Sequence, residues 1–373
     1  MDFALDETQT EIAALTAKVL SGFGGAAGSA PAAPSKRVAP DDPWRALASA
    51  GLLALALPTE LEGDGLGVAE VAQVLTETGR AAAPVPAYAA LALGVLPIES
   101  LGTPAQRAEF LPPVAAGEAL LTAALHEPSA PLAAEPAAIA RPGDGKWLIS
   151  GVKTAVPYAA EAGRILTPVT TAHGSAVYLV DPHAEGVTLV PTPTSSGAPE
   201  YTVRLDDVAV EETDLLFDRG AVAALHRFAL AGALALGDGL LAGALALTVK
   251  HVGERTQFGR PLSAFQAVAG QIADVYVAAR TVHLAVTSAV WRLASGLDAD
   301  AELDIAAYWF ASRAPEALAT CHHLHGGVGV DETYPLHRYS SAVKDLGRTL
   351  GGAAHRLGRL GERVAGVSGC TSN

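Results

Sequence analysis

The stretch GERTQFGRPLSAFQAV, residues 253–268, places an arginine, an amide and an aromatic ring at the end of one predicted helix, directly before the start of another. A long apolar run precedes it, and apolar residues continue after it at steps of three and four. Ser263 and Gln266 have capping-box spacing, which predicts a helix start after Pro261. The stretch therefore predicts a tight corner between two long helices, with polar and aromatic side chains gathered at one end.

The composition indicates an acidic chain with a core of small residues. Half of the 373 residues are apolar but only 5% are aromatic, so we expect closely packed alanine, leucine and valine helices. The formal net charge of -14 disfavours nucleic acid and anionic membrane surfaces as partners, because both bind clustered lysine and arginine. An acidic enzyme or enzyme subunit fits this composition best.

Cysteine content and hydropathy bear on the compartment. Cys321 and Cys370 are too few for a disulfide framework and lack metal-type spacing, so a cytoplasmic location is expected. Residues 1–20 carry acids among apolar residues, which does not fit a signal peptide. Residues 228–247 have the length of a membrane span, but Asp238 near the centre would cost about 2.5–3.5 kcal/mol on insertion scales. We therefore predict a buried bundle helix.

Three regions differ in their hydrophobic period. Residues 1–117 show a helical pattern, whereas residues 118–217 contain short branched runs such as KWLISG and AVYLVD between Gly, Pro and Asp. Residues 218–373 show longer helical patterns, including a helix over about 301–325 that ends at a glycine pair. The expected fold is α+β, with an N-terminal helical domain, a middle β-barrel or sandwich domain and a C-terminal four-helix bundle.

Three segments carry a resemblance to a known family. They read LALALPTELEGDGLGVAEV in the first region, ERTQFGRPLSAFQAV at the corner and HLHGGVGVDETYPLHR near the C-terminus. These segments resemble segments of the acyl-CoA dehydrogenases, and the spacing between the last two also fits that family. The resemblance extends over essentially the whole chain. The resemblance implies FAD as cofactor, with the isoalloxazine ring in one subunit and the adenosine diphosphate tail reaching a neighbour's helix bundle.

The resemblance implies two halves of a site for the FAD tail. They consist of Arg255, Gln257, Phe258, Phe265 and Gln266 at the corner, and of His323, Gly326 and Gly327, with His323 in place of the family's glutamine. A guanidinium suits a pyrophosphate, and glycines let a backbone approach closely. The structural alternative stays open, since an arginine can complement a helix dipole and a glycine pair can cap a helix.

Three histidines, His322, His323 and His325, lie at the end of the same predicted helix. Residues that are adjacent or two apart do not share a helix face, and no acid or cysteine lies nearby at ligand spacing. We therefore predict no metal site.

The two segments that hold the flavin ring in the family are altered in this chain. They read HEPSAPLA, residues 126–133, and GVKTAVPY, residues 151–158. Glu127 persists, but the residues that depart from the family's types at the ring are His126, Leu132, Ala133, Ala155 and Pro157. The resemblance then implies that this chain binds the tail of a flavin whose ring lies in another polypeptide.

The catalytic base that the family requires is also missing. A carboxylate must remove the α-proton of the acyl-CoA, and the resemblance places it at Leu350 or Ala229. Leu350 is predicted to be buried, on an apolar stripe of one continuous last helix. The stripe consists of Val343, Leu346, Leu350, Leu357, Leu360 and Val364. No catalytic residue is therefore assigned to this chain.

These features predict a non-catalytic, FAD-tail-binding subunit of a heteromeric acyl-CoA dehydrogenase. The chain most resembles the base-lacking partners in actinobacterial α2β2 enzymes that act on CoA thioesters of steroid side chains, as in cholesterol breakdown. Expected partners are a homologous catalytic subunit, an acyl-CoA substrate and an electron acceptor. The alternatives are a homotetrameric dehydrogenase with Glu211, Glu212 or Asp238 as base, a flavin-dependent monooxygenase of the same fold, and a scaffolding protein without flavin.

Overall fold

A computed structural model of the chain describes residues 3–21, 23, 42–217 and 220–370. The contacts between residues divide the chain into two compact units. One unit comprises Met1–Ser29, Ala72–Ala83 and Ala233–Asn373, and the other comprises Ala30–Val71 and Pro84–Gly232.

Helices dominate the first region of the chain. They are α1 (Glu7–Ser21), α2 (Pro43–Ser49), α3 (Val68–Arg80), α4 (Leu96–Leu101) and α5 (Pro104–Ala115), with a 3₁₀ turn at Thr59–Leu61 and a π-helix at Tyr88–Val95. The Asp42 carboxylate caps α2 by accepting the N–H of Trp44 at 3.0 Å. A capping box of Thr103 and Gln106 starts α5, and each of these two helices has proline in its first turn.

The middle region forms one sheet, which has eight strands within residues 42–217. They are β1 (Leu121–Ala123), β2 (Ile139–Pro142), β3 (Trp147–Pro157), β4 (Arg164–Thr171), β5 (Gly174–Val180), β6 (Val187–Pro191), β7 (Glu200–Val210) and β8 (Leu215–Phe217). The strand order is β6-β7-β3-β2-β4-β5-β8, and β1 pairs with β4. Branched residues such as Ile149, Ile165 and Val208 are fully buried and form the core of the sheet.

Long helices return in the C-terminal region. The elements are α6 (Ala221–Glu254), β9 (Thr256–Gln257), β10 (Arg260–Pro261), a 3₁₀ turn at Leu262–Ala264, α7 (Gln266–Ala294), α8 (Asp300–His325), a 3₁₀ turn at Gly326–Val330, α9 (Leu336–Thr349) and α10 (Gly352–Cys370). Helix α8 is central, since it packs against α7, α9 and α10. The α+β class, with helical, β and helical regions in that order, is confirmed.

Helices α3 and α6 meet backbone to backbone. A Cβ added at Gly79, Gly239 or Gly243 would overlap a backbone carbonyl of the other helix. A Cβ at Gly237 would come within 2.5 Å of the Phe310 ring on α8. The glycines of α6 therefore set how closely its neighbours can pack, which bulkier residues would prevent.

Helix α6 is long and apolar enough, by length and composition, to cross a bilayer. However, 72% of its apolar window is buried inside the protein, and a core helix passes the same test. The Asp238 carboxylate on this helix is hydrogen-bonded to Nδ1 of His283 on α7 at 2.8 Å. The buried acid therefore has a polar partner within the protein. The burial agrees with the prediction of a core helix.

The last helix is divided, contrary to the prediction of one continuous apolar stripe. Helix α9 ends at Thr349, and Gly351 and Gly352 adopt φ of +82° and +80° before α10 continues. Left-handed glycines change the direction of the chain. The apolar residues of α10 therefore do not continue the buried face of α9. Leu357 and Val364 are accordingly 55% and 68% exposed.

Candidate functional site

A tight β-hairpin follows α6 directly. Strands β9 and β10 are antiparallel, and Phe258 and Gly259 form the two-residue turn with φ of +53° and +77°. Positive φ at both central residues is typical of a type I′ hairpin turn. The Arg255 carbonyl accepts the N–H of Leu262 at 2.9 Å, which closes the base of the hairpin.

The hairpin gathers the predicted aromatic residues. The ring centroids of Phe258 and Phe265 lie 6.2 Å apart, edge to face, and the guanidinium carbon of Arg260 lies 4.0 Å from the Phe265 centroid. Phe258 is 90% exposed, so the pair offers an open aromatic surface to a planar ligand. No sequence pattern indicated Arg260, because its contact with Phe265 exists only once the hairpin turns back.

The three polar residues predicted at the corner, Arg255, Gln257 and Gln266, are all exposed. Within the described part of the chain, the Arg255 side chain forms no ion pair and no hydrogen bond. A guanidinium without a protein carboxylate keeps its donors available for an external anion. The Arg255 guanidinium is therefore open to an external anion.

The start of α7 differs from the capping-box prediction. Leu262–Ala264 form a 3₁₀ turn, and Phe265 is the N-cap residue in an extended conformation without a side-chain cap hydrogen bond. Ser263 therefore does not cap the helix, and Gln266 is its first residue. The spacing rule failed because the 3₁₀ turn uses the residues that a capping box would need.

The second predicted half of the tail site lies at the end of α8. His323 is exposed in the last turn, and the helix ends where Gly326 adopts φ of +60° and ψ of −137°. Only glycine adopts this backbone conformation readily. A Cβ at Gly326 or Gly327 would meet no atom within 4 Å, so open space lies over both glycines.

Two histidine rings join the ends of α6 and α8. His251 on α6 stacks on His325 on α8, with ring centroids 4.3 Å apart and planes inclined by 20°. The His251 carbonyl accepts the N–H of Arg255 at 2.9 Å, and His325 directly precedes Gly326. The structure thus brings both predicted halves to one end of these helices. The only sequence signal for His251 was its four-residue spacing from Arg255, which indicates no more than a shared helix face.

His325, at the end of α8, is hydrogen-bonded within the protein. Nδ1 of His325 lies 2.8 Å from the Cys321 carbonyl, and Nε2 lies 3.1 Å from the Tyr334 hydroxyl. Among the residues that the structure describes, no group of three histidine, cysteine or acidic side chains could hold a metal ion.

Burial lowers the pKa of several histidines in the C-terminal helices. The pKa of His251 is lowered by burial and by the nearby Arg255 charge. The pKa of His325 is lowered by burial and by His251 and His322, although its bond to the Cys321 carbonyl opposes the shift. Burial also lowers the pKa of His322 and of His355.

We expect the protein to lose stability as the pH falls below about 6.5. The four histidines have folded-state pKa values below their unfolded values, so the unfolded state binds more protons in this range. Their contribution is fully present above the unfolded pKa and is lost as the pH decreases. Urea unfolding followed by circular dichroism at about pH 7.5, 6.0 and 5.0 measures this effect. An unchanged midpoint would contradict it.

The first altered ring segment is anchored by a buried ion pair. Glu127 accepts from Lys153 Nζ at 2.7 Å and from the N–H groups of Ala137 and Ala138 at 2.6 and 2.9 Å. Burial raises the pKa of Glu127, but these bonds outweigh it and hold the pKa below its usual value. All of these donors belong to the same fold region, so Glu127 acts as a structural anchor.

The second altered segment contains a bulge in β3. Ala155 adopts φ of +53° where the pairing of β3 with β7 shifts between Lys153 and Val156. The Pro157 carbonyl accepts the Thr122 hydroxyl at 2.7 Å, and proline itself has no N–H to donate. Neither Ala155 nor Pro157 offers a side-chain donor to a flavin ring.

The two positions expected for a catalytic base are buried and apolar. Leu350 is completely buried at the end of α9, and its carbonyl accepts Nε–H of Arg356 at 2.6 Å. Arg356 also binds the buried Asp304 carboxylate at 2.9 Å. Ala229 on α6 is 2% exposed. Neither Leu350 nor Ala229 can accept a proton, and an internal ion pair holds the backbone at Leu350.

The acids considered as alternative bases have other partners. Asp238 is bonded to His283, and Glu212 accepts Nε1–H of Trp147 at 3.0 Å. Glu211 is exposed and caps a 3₁₀ turn together with Asp214. Contacts of this kind are typical of acids that stabilise a helix or a loop.

Comparison with known proteins agrees with this architecture. The acyl-CoA dehydrogenase N-terminal domain matches residues 26–118, and the C-terminal domain matches residues 219–361. The chain is 48% identical over 325 residues to acyl-CoA dehydrogenase FadE28 of Mycobacterium tuberculosis, covering 87% of this chain and 93% of that relative.

Two solved structures share the fold over nearly their whole length. The ChsE4–ChsE5 complex of Mycobacterium tuberculosis superposes with a TM-score of 0.88 at 29% identity, covering 98% of this chain and 99% of that one. A variant of the Tcur3481–Tcur3483 steroid ACAD also gives 0.88, at 34% identity, with 97% and 99% covered. The two domain matches, the identity to FadE28 and the shared fold show that the chain belongs to the acyl-CoA dehydrogenase family.

Proposed function

We propose that the chain is the non-catalytic, FAD-tail-binding subunit of a heteromeric acyl-CoA dehydrogenase acting on CoA thioesters of steroid side chains. The observation that supports the proposal is that Leu350, where the family resemblance leads us to expect the base, is apolar and completely buried. Dehydrogenation requires a carboxylate to take the α-proton of the thioester. In this proposal a homologous partner subunit supplies that carboxylate and the pocket for the flavin ring.

In the proposed tail site, each predicted residue has a role. Arg255 donates charge-assisted hydrogen bonds to the diphosphate, and Phe258 and Phe265 provide an apolar wall for the adenine. The remaining contacts come from Gln257, Gln266, His323, Gly326 and Gly327, through polar side chains or backbone that a ligand can approach closely. FAD, when bound, supplies the acceptor for the β-hydride of the substrate.

The relatives support both the assembly and the substrate class. One relative is a complex of two different proteins, ChsE4 and ChsE5, and another is the Tcur3481–Tcur3483 steroid ACAD. By analogy we assign this chain to a heteromer with a steroid-derived CoA thioester as substrate. The proposed complex is cytoplasmic and passes its electrons to a separate acceptor.

The alternatives have weaker support. A homotetrameric dehydrogenase needs a free base in this chain, but Asp238 is bonded to His283 and Glu212 to Trp147. A monooxygenase needs a complete ring pocket, which Ala155 and Pro157 do not provide. The 48% identity to a dehydrogenase also favours dehydrogenation over a scaffolding role.

Flavin content distinguishes the heteromer from the homotetramer. We expect the chain expressed alone to purify with little flavin, because it has the tail half of the site without the ring half. Co-expression with a homologous chain that carries the ring segments and the base should give a yellow complex with half as many flavins as chains. Absorbance of released FAD against protein concentration measures the ratio. A flavin-saturated homotetramer from this chain alone would overturn the proposal.

Arg255→Ala is expected to weaken FAD binding to the complex about ten- to a hundredfold, because a charge-assisted contact to the diphosphate is lost. Titration of the flavin-free complex with FAD, followed by fluorescence, gives the affinity. Arg280→Ala is the matched control, since this exposed arginine lies on α7 about 21 Å along the helix from Gln266. Equal FAD affinity of the Arg255→Ala variant and the wild type would show that Arg255 has a structural role only.

A further inference from the structure

The contact between His251 and His325 is the closest ring contact at the end of the C-terminal helices. Their centroids are 4.3 Å apart, and the Tyr334 ring lies 5.2 Å from His325 and 6.5 Å from His251. The three rings come from the end of α6, the end of α8 and the segment before α9. They form one aromatic cluster that joins the end of α6 to the end of α8 and the segment after it.

Hydrogen bonds fix the central ring of this cluster. The Cys321 carbonyl can only accept, so Nδ1 of His325 carries the hydrogen in the 2.8 Å contact. In the neutral imidazole Nε2 is then an acceptor, and the Tyr334 hydroxyl donates to it at 3.1 Å. His325 is 5% exposed, so packing and two hydrogen bonds hold it in one tautomer and one orientation.

Each stacked histidine is coupled to one half of the tail site. The His251 carbonyl accepts the N–H of Arg255, and His325 is followed directly by Gly326 in its glycine-specific conformation. A displacement between the two rings would therefore change the distance from Arg255 to the glycine pair. Binding sites for a rigid group such as a diphosphate depend on distances of this kind, because misplacement by about 1 Å can cost much of the interaction.

We propose that His251, His325 and Tyr334 are positioning residues that hold Arg255 and the Gly326–Gly327 pair at the separation needed for the diphosphate of FAD. This inference rests on the proposed tail-binding function and adds the part of the chain that aligns its two halves. The histidines themselves do not contact FAD in this arrangement. Ring shape at position 251 matters, whereas its nitrogen atoms do not.

The test uses the complex of this chain with its ring-bearing partner, stripped of flavin and titrated with FAD at about pH 7.5. We expect His251→Ala to weaken FAD binding about tenfold, because the stack is lost. His251→Phe should stay within about twofold of wild type, since a flat ring still packs on His325. Tyr334→Phe should weaken binding about threefold, through loss of the hydrogen bond to Nε2.

Val286→Ala is the control for a general loss of stability. Val286 is buried on α7, about 30 Å along the helix from Gln266, so its truncation should destabilise the helices and leave FAD affinity unchanged. Equal affinity of His251→Ala and wild type, or an equal loss in Val286→Ala, would overturn the positioning role alone. A wild-type complex that binds no FAD would overturn the tail-binding function, and the positioning role with it.

Discussion

Gly239→Ala is expected to lower the free energy of unfolding by about 3 kcal/mol, the upper end of the usual cost of overpacking a core. The added Cβ would overlap the Thr76 carbonyl oxygen and lie 2.7 Å from the Arg80 nitrogen, both on α3. Backbone atoms cannot change rotamer, so α3 and α6 would have to separate along their contact. Alanine's higher helix propensity recovers at most about 1 kcal/mol.

A matched control for this substitution lies in the same helix. A Cβ at Gly253 meets no atom within 4 Å, and Gly253 is exposed in the last turn of α6. Gly253→Ala should therefore be neutral or stabilise by up to about 1 kcal/mol. Urea unfolding of the two variants gives the comparison. Similar midpoints for both would show that the α3–α6 contact is looser than the structure indicates.

Asp304→Asn is expected to cost about 3–5 kcal/mol, the range for removing one partner of a buried ion pair. The Asp304 and Arg356 side chains are 2% and 1% exposed, and their atoms lie 2.9 Å apart. Asp304 also binds Arg363 at 2.9 Å and lies 3.6 Å from Arg359. Loss of the carboxylate removes this anion from the buried Arg356 guanidinium, which keeps its hydrogen bond to the Leu350 carbonyl.

The effect of Asp304→Asn should extend to the backbone around Leu350. Arg356 links Asp304 on α8 to the Leu350 carbonyl where α9 ends, so its release should raise hydrogen exchange of the amides around Leu350. Asp300→Asn is the control, because Asp300 is 30% exposed and lies 3.9 Å from Arg363. It should cost no more than about 1 kcal/mol. Equal costs for the two variants would contradict a buried network.

Much of the architecture follows from local sequence patterns. The short branched runs KWLISG and AVYLVD predicted β3 and β5, because branched residues suit a pleated, half-buried backbone. The glycine pair predicted the end of α8 at His325, since Gly326 adopts a conformation that other residues avoid. The residues of the proposed tail site could also be selected from the sequence, because Arg255, Phe258 and Gly326 lie within short contiguous motifs.

Local patterns failed where a backbone break or a competing turn intervened. The periodic stripe through Leu350 predicted one helix, yet the left-handed Gly351 and Gly352 divide it and expose Leu357. The capping box predicted at Ser263 does not form, because Leu262–Ala264 adopt a 3₁₀ turn. Hydrophobic periodicity predicts which residues share a face while a helix continues. It does not predict where the helix ends.

Contacts between distant residues were decided by the tertiary structure alone. The stack of His251 on His325, the Arg260 contact with Phe265 and the burial of Asp304 among arginines have no signal in residue type or spacing. The sequence by itself indicated the family, the order of the regions and the residue types at the proposed tail site. Only packing determined which of those residues meet, because the partner of a side chain depends on how whole helices and turns come together.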